Sequence, residues 1–232
     1  MKFILEENLF QDFSPVIGVI VVEGIDNKDS TEQIASLLRA QEAATKTQFA
    51  GEGTIGAHPF ISIWRKIYKK FGSDSYRCSS EALIRRVSKG DSLPKINKLV
   101  DLYNLISLKY VIPVGGEDLD TMEGNLRLGK ANGTESFIRI GGEENEPPLE
   151  GEVVYKDDKG VICRRWNWRE ADRTKLTEKT TKAIIVVDGL AEIGNKTVED
   201  ATNELAVLIH THCGGSARVE ILSNEKPEMV LL

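Results

Sequence analysis

Residues 97–110 read Asn97-Lys98-Leu99-Val100-Asp101-Leu102-Tyr103-Asn104-Leu105-Ile106-Ser107-Leu108-Lys109-Tyr110, an apolar helix pattern that the rest of the chain must enclose. Apolar side chains occupy most of the circumference, which is typical of a buried helix. Lys98, Asp101 and Asn104 recur at intervals of three and share the remaining face. That face either meets solvent, which is the expected case, or lines a polar cavity.

Four segments before this helix have patterns typical of regular secondary structure. They are a Val/Ile run at residues 16–25, a helix opened by the capping box Ser30-Thr31-Glu32-Gln33 and extending towards Phe49, an amphipathic basic helix after His58-Pro59, and a shorter helix at residues 81–89. The Val/Ile run predicts a central buried strand. A glycine-rich break at residues 51–56 separates the first two helices, and Gly90 is expected to cap the last one.

Strand patterns dominate the part of the chain after the buried helix. The segment Val114-Gly115-Gly116-Glu117-Asp118-Leu119-Asp120 predicts a loop whose glycines permit close backbone approach, but it lacks the lysine of a standard phosphate loop. Short alternating segments then predict antiparallel strands at residues 125–128, 136–140, 152–155 and 161–166. The remaining segments predict a strand at residues 183–187, a helix at 197–212 and a strand at 217–222.

These elements predict a mixed α/β (α+β) fold. Helices should pack on a central mixed β-sheet that is followed by a β-rich insertion. The chain has 232 residues, of which 41% are hydrophobic, and this is enough for one large domain with a sizeable core. We therefore expect a single domain over residues 1–232.

Cysteine and histidine usage argues against a disulfide framework and against a metal centre. The three cysteines are far apart without any Cys-x-x-Cys pair, and the three histidines are scattered. The chain becomes acidic at Glu6-Glu7, so the first residues have no apolar run of the length of a signal peptide or a membrane span. We expect a cytoplasmic protein with no metal, no cofactor and no membrane partner.

Charge is distributed unevenly along the chain. The formal net charge is -6, yet residues 61–98 hold ten basic against three acidic residues, and residues 164–182 hold seven against three. Such asymmetry is typical either of a solvated face or of a surface that meets phosphate groups. The candidates for RNA contact are Lys66, Lys69, Arg85 and Arg86.

Residues 163–174, Cys-Arg-Arg-Trp-Asn-Trp-Arg-Glu-Ala-Asp-Arg-Thr, concentrate two tryptophans and four arginines. Tryptophans flanked by arginines indicate a binding site, because guanidinium groups suit phosphate, carboxylate and aromatic faces. On a strand, however, Trp166 and Trp168 would point the same way, and either could be a core residue instead.

Several ordered segments carry a resemblance to a known family. They are Lys95-Ile96-Asn97-Lys98-Leu99-Val100-Asp101-Leu102-Tyr103-Asn104, Pro113-Val114-Gly115-Gly116-Glu117-Asp118-Leu119-Asp120, Gly124-Asn125-Leu126-Arg127-Leu128 and Thr177-Glu178-Lys179-Thr180-Thr181. Their order resembles the tRNA-binding editing module of the phenylalanyl-tRNA synthetase beta subunit, in which an I-N-x-x-V-D-x-x-N helix precedes a P-x-x-x-x-D-L-D loop. The resemblance covers about residues 80–187 and includes no synthetase catalytic domain, so the chain resembles a freestanding module.

The resemblance implies a protein that binds tRNA or aminoacyl-tRNA and hydrolyses the ester of a mischarged amino acid in trans. The family's loop histidine is replaced by Gly115, and a family glutamate aligns approximately with Asp172. Asp172 is therefore the catalytic candidate, as the residue that orients water. The candidates for substrate contact are Arg164, Trp166, Asn167, Trp168, Gly115, Gly116 and Glu117, with Asp101 and Asn104 in second place.

Two other functions remain open. The absent histidine is compatible with a noncatalytic module that binds tRNA or another aminoacylated carrier, and the same pocket could serve a small-molecule hydrolase or amino-acid sensor. Asp101 and Asn104 could instead be buried residues that cap backbone groups. All three functions require a cleft between residues 115–116 and residues 166–172.

Overall fold

Two β-sheets flanked by helices make up the fold in a computed structural model, which describes residues 1–51 and 53–231. Glu52, within the predicted glycine-rich break, and Leu232 lie outside the described residues. The strands are β1 (Lys2–Leu5), β2 (Pro15–Glu23), β3 (Val114–Asp118), β4 (Leu126–Lys130), β5 (Val153–Lys156), β6 (Val161–Arg164), β7 (Arg169–Glu170), β8 (Lys182–Leu190), β9 (Ser216–Leu222) and β10 (Glu228–Val230). The helices are α1 (Glu7–Phe10), α2 (Glu32–Gln48), α3 (Thr54–Ala57), α4 (Pro59–Lys70), α5 (Ser79–Ser88), α6 (Lys98–Tyr110) and α7 (Asn195–Cys213). No helix in these described stretches has the length and apolarity needed to cross a membrane.

The four-stranded sheet contains the two longest strands. Its order is β3-β8-β2-β9, and all neighbours are antiparallel. β2 and β8 are internal, which confirms the central position predicted for residues 16–25. Both strands are buried along almost their whole length because both faces of the sheet are covered. A strand covered on both faces reads as a continuous apolar run instead of an alternating one.

The two faces of β8 meet different parts of the protein. Successive residues of a strand point to opposite faces. Gly189 faces α7, since a Cβ atom at this position would collide with Val198 of that helix. Asp188 faces the other way and accepts a hydrogen bond from the hydroxyl of Tyr155 on β5 (2.5 Å). One strand thus supports a helix on one side and presents a carboxylate on the other.

Helix α6 is enclosed by its neighbours, as its apolar pattern predicted. It packs against α2, α5, α7 and β3, and the side chain of its N-cap Asn97 accepts a hydrogen bond from the Val100 N–H (3.0 Å). The expectation that Lys98, Asp101 and Asn104 meet solvent is wrong, since all three are buried. Lys98 is paired with an aspartate from the segment after β2, at 2.7 Å. These three polar side chains therefore make their contacts inside the protein and not with solvent.

The six-stranded sheet has the order β10-β1-β4-β5-β6-β7. β1 and β4 are parallel, and the other neighbours are antiparallel. The mixed α+β class is confirmed, but two sheets replace the single central one that was expected. The strands β4 to β7 correspond to the predicted β-rich insertion.

Three strand and loop predictions are wrong in detail. Residues 114–118 form β3 instead of a loop, and β6 ends two residues before the predicted end of its strand. Residues 136–140 form no continuous strand, because their backbone bonds go to separate segments: the Val161 N–H donates to the Ser136 carbonyl (2.8 Å) and the Asp172 N–H to the Ile138 carbonyl (2.9 Å). What these described residues form is an isolated bridge between Arg139 and Ala171.

The predicted helices are present with shifted ends. Thr31, not Ser30, caps α2, since the Thr31 hydroxyl oxygen accepts the Ile34 N–H (3.3 Å). The predicted break contains the short helix α3. Beyond the end of α5, Gly90 has a φ of 96°, the left-handed conformation expected of a capping glycine.

Gly18 lets α7 approach β2, because a Cβ atom at this position would collide with Thr202 of the helix. We expect Gly18→Ala to lower the free energy of unfolding by about 1–3 kcal/mol, since added volume in a packed core forces side chains or backbone to shift. Urea denaturation measures the loss. Part of it should be recovered when Thr202→Ala is added, and strictly additive losses in the double variant would contradict this contact.

Candidate active site

A cavity of about 860 Å³ lies between the two sheets, with α5 and α6 supplying further walls. Gly115 and Gly116 of β3 lie on one wall, and Asn167 and Trp168 lie on another. The cleft predicted between residues 115–116 and 166–172 is therefore present, although its lining in this segment ends at Glu170.

The turn between β6 and β7 shapes one wall through two consecutive left-handed residues. Arg165 and Trp166 have φ angles of 48° and 65°, conformations that cost non-glycine residues roughly 1–2 kcal/mol each. Glu152 stabilises the turn by accepting hydrogen bonds from Nε (2.9 Å) and Nη2 (2.8 Å) of Arg164 and from the Arg165 backbone N–H (3.1 Å). Arg164, a predicted substrate contact, instead holds this turn from outside the cavity lining.

The left-handed turn separates the two tryptophans that a continuing strand would place on one face. Trp166 is fully buried, with its ring centroid 5.2 Å from that of Trp64 and 5.5 Å from that of Phe13. Trp168 is half-buried on the cavity wall, 4.7 Å from the ring of Tyr76. Trp166 is thus a core residue with one edge at the cavity, whereas Trp168 and Tyr76 offer aromatic surface to a ligand.

Arg165 supports this aromatic surface from behind. Its guanidinium carbon lies 3.7 Å from the ring centroid of Tyr76 and 4.3 Å from that of Trp168. Burial lowers the pKa of Arg165, and the charge of Glu152 opposes that effect. Contact with two aromatic faces compensates in part for the lost hydration of the cation. The buried guanidinium group of Arg165 therefore stabilises the aromatic wall formed by Tyr76 and Trp168.

Two carboxylates interact inside the cavity. Burial raises the pKa of Glu117 well above its usual range, and the charge of Glu170 raises it further. Burial also raises the pKa of Glu170 to about 7, against the opposing effect of a hydrogen bond from the Gly116 backbone N–H. Burial and the repulsion between two carboxylates both favour the protonated forms. Glu170, with a pKa of about 7, can therefore accept and return a proton near neutral pH.

Gly115 provides the space that Glu170 occupies. A Cβ atom at position 115 would lie 2.9 Å from Oε1 of Glu170, so any larger residue would displace the carboxylate.

A third carboxylate, that of Asp188, lies on the cavity floor. It accepts hydrogen bonds from Tyr155 (2.5 Å), from Nε1 of Trp166 (3.3 Å) and from Nδ2 of Asn167 (3.2 Å). Burial raises the pKa of Asp188 to about 7 although these three donors lower it. The amide oxygen of Asn167 accepts from the hydroxyl of Tyr68 (3.0 Å), so the network fixes Asn167 on both sides.

Asp172 and Asp101 lie outside this cavity. Asp172 borders a separate hollow of about 320 Å³. Its side chain is 41% exposed and lies 2.8 Å from Lys175, whose hydrogen bond lowers the pKa of Asp172. Asp101 is buried and accepts the Ile96 backbone N–H (3.1 Å), which matches the capping alternative. The structure thus separates Asp172 from Gly115, Gly116, Glu117, Asn104, Trp166, Asn167 and Trp168, which all line the cavity.

Cationic side chains line the exposed edge of the cavity. They are Arg77, Arg85, Arg86, Lys89 and Arg169, and Asp91 is the acidic residue among them. The predicted RNA contacts Arg85 and Arg86 therefore lie at the cavity mouth, whereas Lys66 and Lys69 are exposed on α4 outside the lining.

Glu81 is a buried carboxylate that pairs with arginines at the cavity mouth. It is fully buried, and its carboxylate lies 2.6 Å from Arg65, 2.7 Å from Arg85 and 3.5 Å from Arg77. The guanidinium groups lower the pKa of Glu81 against the effect of burial. One carboxylate among three guanidinium groups leaves an excess of positive charge, which favours an anion at the mouth.

Every residue that lines the cavity falls within residues 63–214, which match the family model of the B3/4 domain. The chain belongs to the B3/4 domain family. This domain is found in the phenylalanyl-tRNA synthetase beta subunit, so the family resemblance of the sequence is confirmed. No curated protein matches the sequence.

The B3/4 chain is also similar to a solved structure, an N-terminal fragment of the phenylalanyl-tRNA synthetase beta subunit from Pyrococcus horikoshii. The TM-score is 0.51 at 14% sequence identity. The match covers 96% of this chain and 53% of the fragment, so the chain spans about half of the fragment's length. At this identity the likeness concerns the fold.

The thiol of Cys163 also lines the cavity of the B3/4 domain. Burial and the charge of Glu170 raise the pKa of this thiol well above its usual range, which disfavours the nucleophilic thiolate. The carboxylates are therefore the better proton acceptors. The described residues contain no cluster of three or more His, Cys, Asp or Glu side chains arranged to hold a metal ion.

Sequence reasoning does not identify Glu170 and Asp188 as cavity residues. Glu170 lies two positions before Asp172, and only the geometry of the preceding turn determines which carboxylate enters the cavity. Asp188 directly follows the apolar run at residues 183–187. A carboxylate that continues a buried strand needs hydrogen-bond partners, and this signal could have identified Asp188.

We expect the stability of the protein to fall as the pH rises from about 4.5 to about 7. Over this range the folded state keeps protons on Glu170 and Asp188, whose pKa values of about 7 lie above the ordinary 4.5 and 3.8. Because the unfolded chain has already released these protons, each pKa unit of difference costs about 1.4 kcal/mol. Carboxylates whose pKa is lowered in the folded state, such as Asp157, change the free energy of unfolding with pH only below this pH range.

Urea titrations at a series of fixed pH values measure this slope. Glu170→Gln should make the slope shallower, and Glu178→Gln on an exposed turn controls for the loss of one carboxylate. Equal slopes for the original protein and Glu170→Gln would contradict the elevated pKa of Glu170.

Proposed function

We propose that this B3/4 domain hydrolyses the ester bond of mischarged aminoacyl-tRNA in trans. The observation that carries the proposal is the polarity of the cavity, with two carboxylates of raised pKa inside and cations at the mouth. The end of an aminoacyl-tRNA has a matching order, since its reactive ester is followed by a chain of phosphates. The volume of about 860 Å³ lies within the roughly 300–1,000 Å³ of typical ligand pockets.

Glu170 takes the role that the sequence analysis gave to Asp172. Its pKa of about 7 leaves it partly ionised at neutral pH, so it can accept a proton from a water molecule that attacks the ester carbonyl. The tetrahedral intermediate then breaks the bond between the carbonyl carbon and the ribose oxygen, and the Glu170 carboxyl group returns its proton to that oxygen. The products are a free amino acid and uncharged tRNA.

Other cavity residues support binding and positioning. Asn104 lies on the wall supplied by α6, and its amide N–H is the candidate donor to the developing oxyanion. Trp168 and Tyr76 provide aromatic faces for the terminal base. Because an aminoacyl ester is already activated, positioning and proton transfer are sufficient contributions from the protein.

The purified protein should release free amino acid from at least one member of a panel of mischarged tRNAs. We expect Glu170→Gln to slow this release by about 10²–10⁴-fold, the usual contribution of a general base. Asp172→Ala should release at nearly the original rate, because this carboxylate is exposed and bound to Lys175. Glu178→Gln is the matched control.

Three results would change the proposal. A loss with Asp172→Ala but not with Glu170→Gln would return the catalytic role to Asp172. Binding of tRNA without release would favour a noncatalytic module, and release from small aminoacyl esters without tRNA binding would favour a small-molecule hydrolase.

Binding of tRNA should weaken steeply with salt, because contacts to phosphate release counterions. Replacing Arg86 and Lys89 with alanine should reduce the slope of log affinity against log salt by about one for each residue, and the same holds for Lys66 and Lys69. Lys196→Ala, on the far side of the four-stranded sheet, is the control. Binding that does not depend on salt would exclude RNA as the partner of this surface.

A further inference from the structure

Arg165 is a buried cation whose side-chain N–H groups lack acceptors. The residue is 5% exposed, and its Nε and Nη1 atoms are buried without a hydrogen bond to any described residue. A guanidinium group stays charged in proteins, so the cost of burial cannot be relieved by loss of a proton. Buried donors on a permanent charge are costly, which indicates that a ligand supplies the acceptors.

The surroundings of Arg165 do not balance its charge. Glu152 is the carboxylate whose charge acts most on Arg165, but its two oxygens accept hydrogen bonds from Arg164 at 2.9 and 2.8 Å. The distance from Oε2 of Glu152 to Nη2 of Arg165 is 3.9 Å, too long for a hydrogen bond. The faces of Tyr76 and Trp168 attract the cation but offer its N–H groups no oxygen acceptor. Two guanidinium groups therefore share one carboxylate.

We infer that Arg165 binds a phosphate group, which displaces the ring of Tyr76 from the guanidinium group. The planar fork of an arginine matches two oxygens of a phosphate group, and hydrogen bonds between two charged groups are the strong ones. The inference concerns binding alone and holds whether or not the domain hydrolyses an ester.

The first turn of α5 supplies further donors beside Arg165. The Ser79 N–H donates to the Asn167 carbonyl (3.1 Å), which fixes the start of this helix against the turn that contains Arg165. The hydroxyl oxygen of Ser79 is buried and has no partner among the described residues, and Ser79 lines the cavity. Helix N-termini favour anions. The start of α5 and the side chain of Arg165 therefore favour the same kind of ligand.

More positive charge surrounds this place than a carboxylate ligand would balance. Arg77 follows Tyr76 in the chain, and the guanidinium carbon of Arg169 lies 5.4 Å from the ring centroid of Trp168. Both arginines line the cavity mouth. A phosphate group carries more negative charge and more acceptor oxygens than a carboxylate. The cluster of cations around Arg165 therefore fits phosphate better.

Tyr76 covers Arg165 from a loop. Residues 71–78 connect α4 to α5, and the half-buried ring of Tyr76 lies 3.7 Å from the guanidinium carbon. This ring can turn away without breaking a helix or a strand, while Trp168 keeps its own contact with Arg165. A contact between a cation and a ring is then exchanged for charge-assisted hydrogen bonds. Tyr76 thus competes with a phosphate group for Arg165.

Calorimetry on the full chain at low salt tests the inference with inorganic phosphate, adenosine 5′-monophosphate and adenosine as probes. At least one of the two phosphate-containing probes should bind. Tyr76→Ala should bind this probe about fivefold more tightly, because the competing ring is absent. Arg165→Gln should bind it at least about tenfold more weakly, and Arg165→Lys should also bind it more weakly, since lysine lacks the planar fork. Arg127→Gln, which removes an arginine paired with Asp158 on β4, is the control and should bind normally.

The probes also distinguish two sources of the phosphate group. Binding of inorganic phosphate that depends on Arg165 would support a site for free phosphate, whereas binding of the nucleotide alone would support a site for the phosphate of a nucleotide or nucleic acid. Equal affinity for the nucleotide and for adenosine, without binding of inorganic phosphate, would overturn the inference.

Two further results would contradict a phosphate site at Arg165. One is unchanged or weaker binding by Tyr76→Ala, including no binding of either phosphate-containing probe, and the other is unchanged affinity in folded Arg165→Gln. Because no probe contains an ester of an amino acid, these results are independent of the tRNA panel. A domain that binds phosphate through Arg165 but releases no amino acid would support this site and refute the proposed hydrolysis.

Discussion

The buried ion pair between Arg164 and Glu152 is the interaction on which the candidate site depends. Breaking a buried pair by removing one partner costs about 3–5 kcal/mol, because the other charge is left unpaired. Removal of Glu152 would also leave the Arg165 backbone N–H without its acceptor. That bond stabilises the left-handed turn, after which Trp166 and Asn167 donate to Asp188. The cavity floor and the aromatic wall therefore both depend on one carboxylate outside the cavity.

Acidic side chains lie deep in the cavity of this protein, and basic side chains lie at its exposed mouth. Glu117, Glu170 and Asp188 lie between the two sheets, where burial favours their protonated forms. Arg77 and Arg85 at the mouth remain in contact with water and are paired with Glu81, which is itself buried. A low dielectric inside strengthens each interaction with a bound ligand, and the cationic rim can attract a polyanion from solution. A net acidic protein can thus present a local surface that suits phosphate groups.

Sequence patterns identified those elements whose local signals agree with their packing. The apolar circumference of α6 and the Val/Ile run of β2 are examples, because burial on all sides leaves a pattern in the composition itself. The left-handed conformation of Arg165 and Trp166 has no such signal, since neither residue is a glycine. A continuing strand would place Trp166 and Trp168 on one face. Asp172 was selected through its approximate alignment with a family glutamate, whereas the carboxylate that lines the cavity is Glu170. The cleft was predictable from its glycines and aromatic residues, but the identity of its inward carboxylates depends on tertiary geometry.

Strand β8 has a further consequence for how the site comes into being during synthesis. Its partner β2 lies more than 150 residues earlier in the chain, and the two are paired from Pro15 with Leu190 to Glu23 with Lys182. The cavity floor on β8 cannot be in place until this distant pairing has formed, and long-range pairings of this kind slow folding. A nascent chain that has not reached Leu190 therefore lacks the floor altogether, so recognition of a ligand in this cavity requires β8 to be synthesised and paired with β2.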